Sequence, residues 1–316
     1  MKRLILLSLV TLLCLPLAVY AASIGKTETI GQGKWDIGVD TELIFDRDIK
    51  AKLYSGSNSW SGNISPTEID YEGIKIEIEG TGVNLSGAWN RADRPDIDRL
   101  SRPVIKITYG LLDNLDFYLK LGLSDGKTKG GNLNAKYTGS ATNFKIKIEG
   151  ETIYDGAVNV SANLDANWRY KLKNAFLYGF GLKGVYPLED NWLLGIDTSY
   201  IRHRNSYSGN ISYTLSGDLS GQAEETWKGK MTFEEWQIAP YIAKKIENFI
   251  PYFGVKYSDL RLENKQSGGE KNKFKADDNF GVFLGTDYKI NDAWALNFEA
   301  RFIDETAISF GGTYRF

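Results

Sequence analysis

The sequence predicts an all-β protein, an antiparallel up-and-down transmembrane β-barrel of about ten strands, with short turns at one end and long loops at the other. Three observations predict this class. A secretory signal opens the chain, short segments alternate apolar and polar residues, and the chain ends on an aromatic strand. A barrel in a bilayer needs apolar side chains only on its outer face, so alternate residues of each strand suffice.

Residues 1–21 have the features of a secretory signal peptide. A basic start precedes the mostly apolar stretch Leu4–Leu17, and the small residue Ala21 ends the segment. The apolar part is too short to span a bilayer, so we expect cleavage after Ala21 and a single barrel domain over residues 22–316. Cys14 lies inside the signal, so the mature chain would contain no cysteine for a disulfide, a metal site or a nucleophile.

The composition argues against several function classes. Removing Lys2 and Arg3 from the 38 basic residues leaves 36 against 40 acidic ones, a balance that does not predict nucleic-acid binding. No His-rich, Cys-rich or Gly-rich motif predicts a metal or nucleotide site, so we expect no cofactor. The 33 Gly, 18 Tyr, 15 Phe and 8 Trp residues fit many strands with aromatic bands.

Four short polar turns divide the chain into hairpins, at 112–114, 188–191, 246–248 and 290–292. The alternating segments around these turns predict ten spanning strands. They lie near 34–46, 102–110, 115–124, 174–186, 192–206, 231–244, 250–263, 278–289, 294–303 and 306–316. Longer polar links separate the hairpins, which predicts periplasmic turns and extracellular loops. These links cover roughly 48–101, 126–173, 208–230 and 265–276.

Two other segments alternate as clearly as the spanning strands. They are Ile74–Ile78 and Phe144–Ile148, and their flanks lack turn-like and aromatic residues. We therefore expect them to form hairpins that project above the membrane. Eight to twelve spanning strands stay compatible with the pattern, and an even number returns both ends of the chain to the periplasm.

The inward face of the predicted strands carries equal numbers of acidic and basic residues. A charge in a narrow lumen is costly unless it is paired, so this balance favours cross-strand ion pairs that close the lumen. A charge-lined pore is the alternative. The inward set is Asp36, Asp40, Glu42, Lys106, Asp116, Lys120, Lys183, Asp197, Lys256, Asp287, Lys289, Glu299, Arg301 and Arg315.

The outward face carries aromatic residues at both strand ends. Trp35, Trp192 and Trp294 lie beside the predicted periplasmic ends, and Tyr200 and Tyr257 lie near the opposite ends. Two aromatic girdles around an aliphatic band are typical of proteins that span a bilayer. A soluble β-sandwich would explain the alternation but not these two girdles.

The last strand places Phe310, Tyr314 and the terminal Phe316 on one face. This ending resembles the C-terminal signature that the barrel-assembly machinery of Gram-negative bacteria reads, except that Gly312 stands where a bulky apolar residue is usual. With the signal peptide and the hairpin meander, the chain resembles the outer-membrane barrels related to opacity-type surface antigens, in the OmpA-like barrel superfamily. The resemblance implies the outer membrane and the barrel architecture, and it transfers no functional residue.

Two main functions fit this prediction. The first is a structural or surface-interaction protein with a closed lumen, whose extracellular loops contact an unknown surface ligand. The second is a small porin that passes ions or solutes.

A remote third alternative is an enzyme similar to the omptin proteases, which use paired aspartates and an Asp–His couple. His203 lacks the required aspartate two residues before it, while Asp46 and Asp48 form a loose pair of acids. We therefore expect no enzyme, and His203 is predicted to be a solvated rim residue.

Basic residues near the predicted outer rim suggest a lipid partner. Their charges could meet the phosphates of lipopolysaccharide, in addition to the contact that any barrel makes with outer-membrane lipid. The same charges could equally be inert on solvated loops. The set comprises Arg202, Arg204, Arg261, Lys265, Lys271, Lys273 and Lys275.

Overall fold

The computed structural model describes residues 26–71, 74–148, 150–217, 221–266 and 271–316, and the predicted signal peptide lies outside them. Within the described residues no helix is long and apolar enough to cross a membrane. The strands in these ranges are β1 Trp35–Asp46, β2 Lys52–Tyr71, β3 Ile74–Asp93, β4 Ile97–Leu112, β5 Leu115–Ile148, β6 Glu151–Pro187, β7 Trp192–Gly217, β8 Gly221–Lys244, β9 Phe249–Gln266, β10 Lys271–Lys275, β11 Phe280–Lys289, β12 Trp294–Phe302 and β13 Thr306–Arg315.

Ten of these strands close into a ring of antiparallel pairs. The order around the ring is β5, β4, β1, β13, β12, β11, β9, β8, β7 and β6, and β6 pairs with β5 again. β1 meets β4 at both ends of their shared seam, through the pairs Trp35–Tyr109 and Arg47–Ile97. The predicted up-and-down barrel of about ten strands is therefore confirmed.

The two ends of the barrel differ as the sequence predicted. The four short turns after β4, β6, β8 and β11 all lie at one end, which we call the turn end; the opposite end is the loop end. Asp190 and Glu247 adopt positive φ angles of 57° and 53° in two of these turns. In the last turn the Asn291 side chain accepts the backbone N–H groups of Ala293 and Trp294, both at 2.9 Å. Asn and Asp stabilise short turns in this way, because their side chains hydrogen-bond to nearby backbone groups.

At the loop end, four strands run much farther than the alternation predicted. β5 and β6 continue to Ile148 and Glu151, and β7 and β8 continue to Gly217 and Gly221. The links at 126–173 and 208–230 are therefore mostly strand. Their backbone groups pair with neighbouring strands, so an apolar face is not needed to hold them.

The β2–β3 hairpin is not part of the ring and is joined to it through β3. β3 pairs with the loop-end half of β5, from Asp93–Gly131 up to Ile76–Ile148. This confirms that Ile74–Ile78 and Phe144–Ile148 belong to structure that projects beyond the barrel wall. β10 likewise only extends β9, with pairs from Lys271–Lys265 to Lys275–Arg261.

Inward tyrosines explain part of the high glycine content. Tyr118 lies over Gly181 of the neighbouring strand, where an added Cβ would come within 2.3 Å of the ring. Tyr241 lies over Gly195 in the same way, at 2.1 Å. Glycine at these positions lets a large ring lie flat against the wall and occupy the lumen.

Candidate functional site: the lumen and the vestibule above it

The structure buries twelve of the fourteen charged residues predicted to face inward, whereas Lys289 and Arg315 are half-buried at the turn end. The buried charges occur along the whole length of the wall, from Asp36 near the start of β1 to Arg301 near the end of β12. A buried charge without a partner is costly. The ion pairs and hydrogen bonds of these side chains therefore determine whether the charged interior is stable.

Toward the loop end, three arginines and three glutamates form a buried ion-pair cluster. The Arg47 Nη1 atom lies 2.6 Å from Glu235 and 3.0 Å from Glu305. Arg102 Nη1 lies 2.9 Å from Glu42 and 2.8 Å from Glu235. Arg301 contacts Glu42 and lies 2.9 Å from Glu305. Carboxylates shared between guanidinium groups link four strands, the loop after β1 and the turn after β12 across the lumen.

A lysine on β9 joins the same cluster. Lys256 Nζ lies 2.9 Å from Asp304 and also contacts Glu305, both in the short turn between β12 and β13. Ile303 precedes them with a φ of +84°, which an isoleucine rarely adopts. The turn places the carboxylates of Asp304 and Glu305 inside the lumen, where both residues are buried. We call the charged residues joined in this way the lumen cluster; they are Glu42, Arg47, Arg102, Glu235, Lys256, Arg301, Asp304 and Glu305.

Nearer the turn end, Tyr118 organises a second set of buried charges. Its hydroxyl donates to Asp197 at 2.7 Å. The Lys106 and Lys120 ammonium groups lie 4.1 and 5.4 Å from the centre of its ring. On the other wall, Asn297 donates to Asp287 at 2.6 Å. Cation–π contacts and hydrogen bonds thus offset part of the desolvation cost of these charges.

The residues before β1 occupy the turn-end mouth of the barrel. The Thr27 N–H donates to Asp287 at 2.6 Å, and the Thr27 carbonyl accepts from the Tyr241 hydroxyl at 2.8 Å. Glu28 is paired with Lys245 at 2.7 Å and with Lys289 at 2.5 Å. Burial tends to raise the pKa of Glu28, but the hydrogen bonds and charges of the two lysines outweigh it and lower that pKa. We call residues 26–34 the N-terminal segment.

An apolar layer lies on the loop-end side of the lumen cluster. Ile44, Leu100, Phe233 and Leu262 are at most 1% exposed, although they belong to four strands of a barrel wall. Their side chains belong to one contiguous apolar group inside the barrel. From the turn end outward, the lumen therefore holds the N-terminal segment, buried charges and an apolar layer in sequence.

Above the apolar layer, the extended strands enclose a vestibule, a cavity of about 470 Å³. Aromatic rings form its floor: Tyr170 lies 4.8 Å from Tyr207 and 5.9 Å from Trp227, ring centre to ring centre. The Arg91 guanidinium lies 5.3 Å from the Trp168 ring. Polar side chains share the lining with further aromatic residues. The lining consists of Asn58, Trp89, Arg91, Leu133, Tyr137, Trp168, Tyr170, Ile211, Tyr213, Glu225, Trp227 and Gln266.

The histidine prediction is wrong. His203 is 1% exposed rather than solvated, because its position on β7 has the inward parity. Its ring stacks on Phe233 at 4.6 Å, and its Nδ1 atom lies 2.7 Å from the Asn205 side-chain oxygen. Asp46 and Asp48 are exposed, and Asp48 is paired with Arg94 at 2.6 Å. The two acids therefore lie apart from the buried histidine.

The predicted girdle residues lie on the outer face at the turn end. The Trp35 ring packs against Tyr109 at 4.6 Å and the Trp294 ring against Tyr314 at 4.8 Å, ring centre to ring centre, while the Lys244 ammonium lies 4.7 Å from the Trp192 ring. The C-terminal residues Phe310, Tyr314 and Phe316 are exposed on the same outer face. Both sets are thus available to lipid or to a partner that reads the last strand.

Sequence reasoning missed five of the eight members of the lumen cluster. Arg102 and Glu235 have the inward parity of their strands and could have been found by extending the alternation. Arg47 follows a β-bulge between Ile44 and Asp46, which shifts the register. Asp304 and Glu305 lie in a turn, where no alternation applies. No group of three or more His, Cys, Asp or Glu side chains in the described ranges could hold a metal ion.

Comparison with known proteins gives relatives of low identity. The chain is 22% identical over 272 residues to a major outer membrane porin of Chlamydia pneumoniae, covering 66% of this chain and 68% of that protein. Another major outer membrane porin of the same organism is 20% identical over 269 residues, with the same coverage. No family model matches the chain.

Two solved structures align with this chain over most of its length. The outer membrane protease OmpT of Escherichia coli aligns with a TM-score of 0.43 and 12% identity, covering 93% of this chain and all of that one. The toluene transporter TodX of Pseudomonas putida aligns with a TM-score of 0.33 and 11% identity, covering 93% of each chain. With the closed antiparallel ring and the porin relatives, the conclusion is that this chain is an outer-membrane β-barrel.

Proposed function

We propose that the protein is a closed outer-membrane barrel that acts at the cell surface, through the vestibule and the strands that project from its loop end. In outer-membrane barrels the short turns face the periplasm and the longer connections face outward. The vestibule would then be open to the outside and blind toward the periplasm, which suits binding rather than passage.

The buried lumen cluster is the observation that carries this proposal. Four basic and four acidic side chains meet there across a ring of ten strands, a size whose interior side chains can fill. A water-filled pore would leave such side chains solvated, yet Arg47 and Lys256 are each 1% exposed. The apolar layer and the N-terminal segment add two further obstacles to water.

Single-channel recording tests the proposal. The mature chain would be refolded in detergent, inserted into a planar bilayer and held under voltage, with insertion verified by the heat-dependent shift in gel mobility typical of folded barrels. We expect no steady current steps. Reproducible steps from the unmodified protein would contradict a closed lumen.

A small porin is the second candidate, because the relatives at 20–22% identity are named porins. In that case the same recording would give steady steps, and their ion selectivity would depend on the inward charges. Lys120→Gln removes one buried inward charge and should then shift the selectivity toward cations. Lys127→Gln, an exposed change on the outer wall of the same strand, is its matched control.

We also propose that the barrel is not an enzyme. The stacking of His203 on Phe233 and the pairing of Asp48 with Arg94 leave neither residue in the arrangement of an Asp–His protease. Incubation with casein should give no cleavage. Cleavage that disappears in Asp46→Ala would contradict this view.

The proposal also covers the role of the C-terminal residues and the relationship to opacity-type surface antigens. The barrel-assembly machinery would read Phe310, Tyr314 and Phe316, and deletion of Phe316 should then slow insertion by that machinery without changing the lumen. The kinship with opacity-type surface antigens also stays a proposal, supported by the hairpin meander and the aromatic ending.

A further inference from the structure

A strongly basic groove lies on the outer wall at the loop end, separate from the lumen and the vestibule. It is a concave surface with a volume of about 820 Å³. Eight basic and two acidic side chains line it, with a few neutral residues between them. The lining, which we call the cationic groove, consists of Lys50, Ala51, Lys52, Arg202, Arg204, Thr232, Glu234, Arg261, Leu262, Glu263, Lys271, Lys273, Phe274 and Lys275.

Strand register aligns the groove residues in two rows across four strands. One row runs Arg202, Glu234, Arg261 and Lys275, which are direct partners in the β7–β8, β8–β9 and β9–β10 pairs. The next row, farther out, runs Arg204, Thr232, Glu263 and Lys273 through the same three pairs. Neighbouring strands are about 4.8 Å apart, so each row extends roughly 14 Å, wide enough for a headgroup with more than one anionic group.

These rows face away from the lumen. Arg202 and Arg204 alternate along β7 with the buried residues Ile201 and His203, and Arg261 lies between the buried Leu260 and Leu262. Since successive strand residues point to opposite faces, the basic side chains point outward, toward the surrounding membrane surface. A soluble ligand in the vestibule would not reach them.

The two carboxylates of the groove do not neutralise it. Glu234 lies 3.2 Å from Arg202, and Glu263 lies 3.1 Å from Lys271. Asp259, just outside the lining, lies 2.7 Å from Arg261. Together the three acids can balance three of the eight basic groups, so the groove keeps an excess of positive charge. Such an excess on exposed side chains attracts anions, and guanidinium groups bind phosphate oxygens in a bidentate manner.

The groove lies directly above aromatic residues that mark the membrane surface. Two residues from the Arg202–Glu234 pair toward the turn end, Tyr200 on β7 is paired with Trp236 on β8, and their ring centres are 4.7 Å apart. Tyr257 and Phe280 continue this belt on β9 and β11, at 5.1 Å. Aromatic belts lie at the level of lipid headgroups, so the basic rows reach the depth where headgroup phosphates are found.

We propose that the cationic groove is a binding site for the phosphate groups of an outer-leaflet lipid, of the kind that lipopolysaccharide carries. The lipid would lie against the outer wall of β7–β10, with its phosphates between the two rows and its acyl chains along the aromatic belt. This site is independent of whether the lumen conducts.

Binding of purified lipopolysaccharide to the refolded, full-length mature barrel tests the proposal. The groove variant combines Arg204→Gln, Lys273→Gln and Lys275→Gln. Its matched control combines Lys127→Gln, Lys129→Gln and Lys171→Gln, which removes equal charge from exposed positions on the β5–β6 wall. We expect the groove variant to bind at least about tenfold more weakly, because hydrogen bonds to charged groups are lost, and the control to change by less than about threefold.

Four outcomes would overturn the proposal. An equal loss in both variants would mean a diffuse basic belt rather than a site, and no loss in the groove variant would remove the groove from binding. Equal binding of phosphatase-treated lipopolysaccharide would exclude phosphate as the recognised group. Full competition by inorganic phosphate, at the affinity of the lipid, would indicate a site for a free anion instead.

A folding control keeps the test decisive. Each variant must show the heat-dependent gel shift of the unmodified barrel before its binding is compared. If the triple groove variant fails to fold, Lys275→Gln alone should still weaken binding measurably, with Lys171→Gln as its control.

Discussion

Arg47 joins parts of the chain that are far apart in sequence. Its guanidinium contacts Glu235 on β8, Ser258 on β9 and Glu305 in the turn before β13. The Arg47 side chain has no solvent exposure, so these contacts replace its hydration. Removing the cation would leave Arg102, Lys256 and Arg301 to balance four buried carboxylates, which costs more than the loss of an exposed pair.

We therefore predict that Arg47→Met lowers the free energy of unfolding by about 3–5 kcal/mol. Arg202→Met is the matched control, since its 3.2 Å pair with Glu234 has both side chains more than a third exposed, and it should cost less than about 1 kcal/mol. Urea titration in detergent, followed by tryptophan fluorescence, measures both. Equal losses would mean that burial does not govern the strength of these pairs.

Period-two alternation located some of these residues and not others, for reasons of geometry. Glu42 and Lys256 lie within regular strands, so their parity gave the correct face. Arg47 lies beyond a bulge at which the register of β1 shifts, and one extra residue reverses the face of everything after it. Asp304 and Glu305 enter the lumen from a turn, which no alternation describes.

At the scale of elements, the N-terminal segment is held in the barrel mouth by charge. Glu28 pairs with both Lys245 and Lys289, and its pKa is lowered in the folded protein. A lowered pKa means that the carboxylate form is favoured by folding. Its contribution is present above the unfolded value, near 4.5, and is lost as the pH falls through the folded value.

We predict that the N-terminal segment loosens on acidification, and that Glu28→Gln loosens it already at neutral pH. The mature chain would have no cysteine, so Gln32→Cys supplies a single site for a nitroxide label whose mobility reports the segment. Glu189→Gln, an exposed acid at the same end, is the control. A label that stays immobile in Glu28→Gln would show that the hydrogen bonds of Thr27 suffice.

The projecting strands were the part of the fold that sequence patterns described least well. In β5 beyond Gly126, the outward face carries polar residues such as Asn132 and Asn134, so no apolar membrane-facing side marks the strand. Pairing with β3 and β6 on either side defines it instead. Register between distant segments is a property of the fold and cannot be derived from a single segment.

The β2–β3 hairpin lies outside the ring, so the barrel should fold without it. We predict that replacing residues 52–93 by a short Gly-Ser linker preserves the heat-dependent gel shift, because all ten ring strands keep their partners. The vestibule would lose the wall that carries Trp89 and Arg91. Absence of the folded band would show that the hairpin is needed to align β5 during folding.

For the whole molecule, the order of layers along the lumen determines how it could be opened. Ion pairs and hydrogen bonds hold the N-terminal segment at the turn end, buried charges follow it, and an apolar layer separates them from the vestibule. Each layer is built by different residues, although the charged and apolar layers share strands β1, β4, β8 and β9. Water would have to pass each in turn, so removing one should leave the others closed.

We accordingly predict that deletion of residues 26–33 leaves the barrel folded and electrically silent in a planar bilayer. The deletion removes the contacts of Thr27 and Glu28, but it leaves Arg47, Arg102 and Arg301 paired in the lumen cluster. Insertion is verified by gel mobility, and the unmodified barrel is recorded in parallel. Steady steps that arise only after the deletion would mean that the N-terminal segment alone seals a conducting lumen. The buried ion pairs would then line a pore instead of closing one.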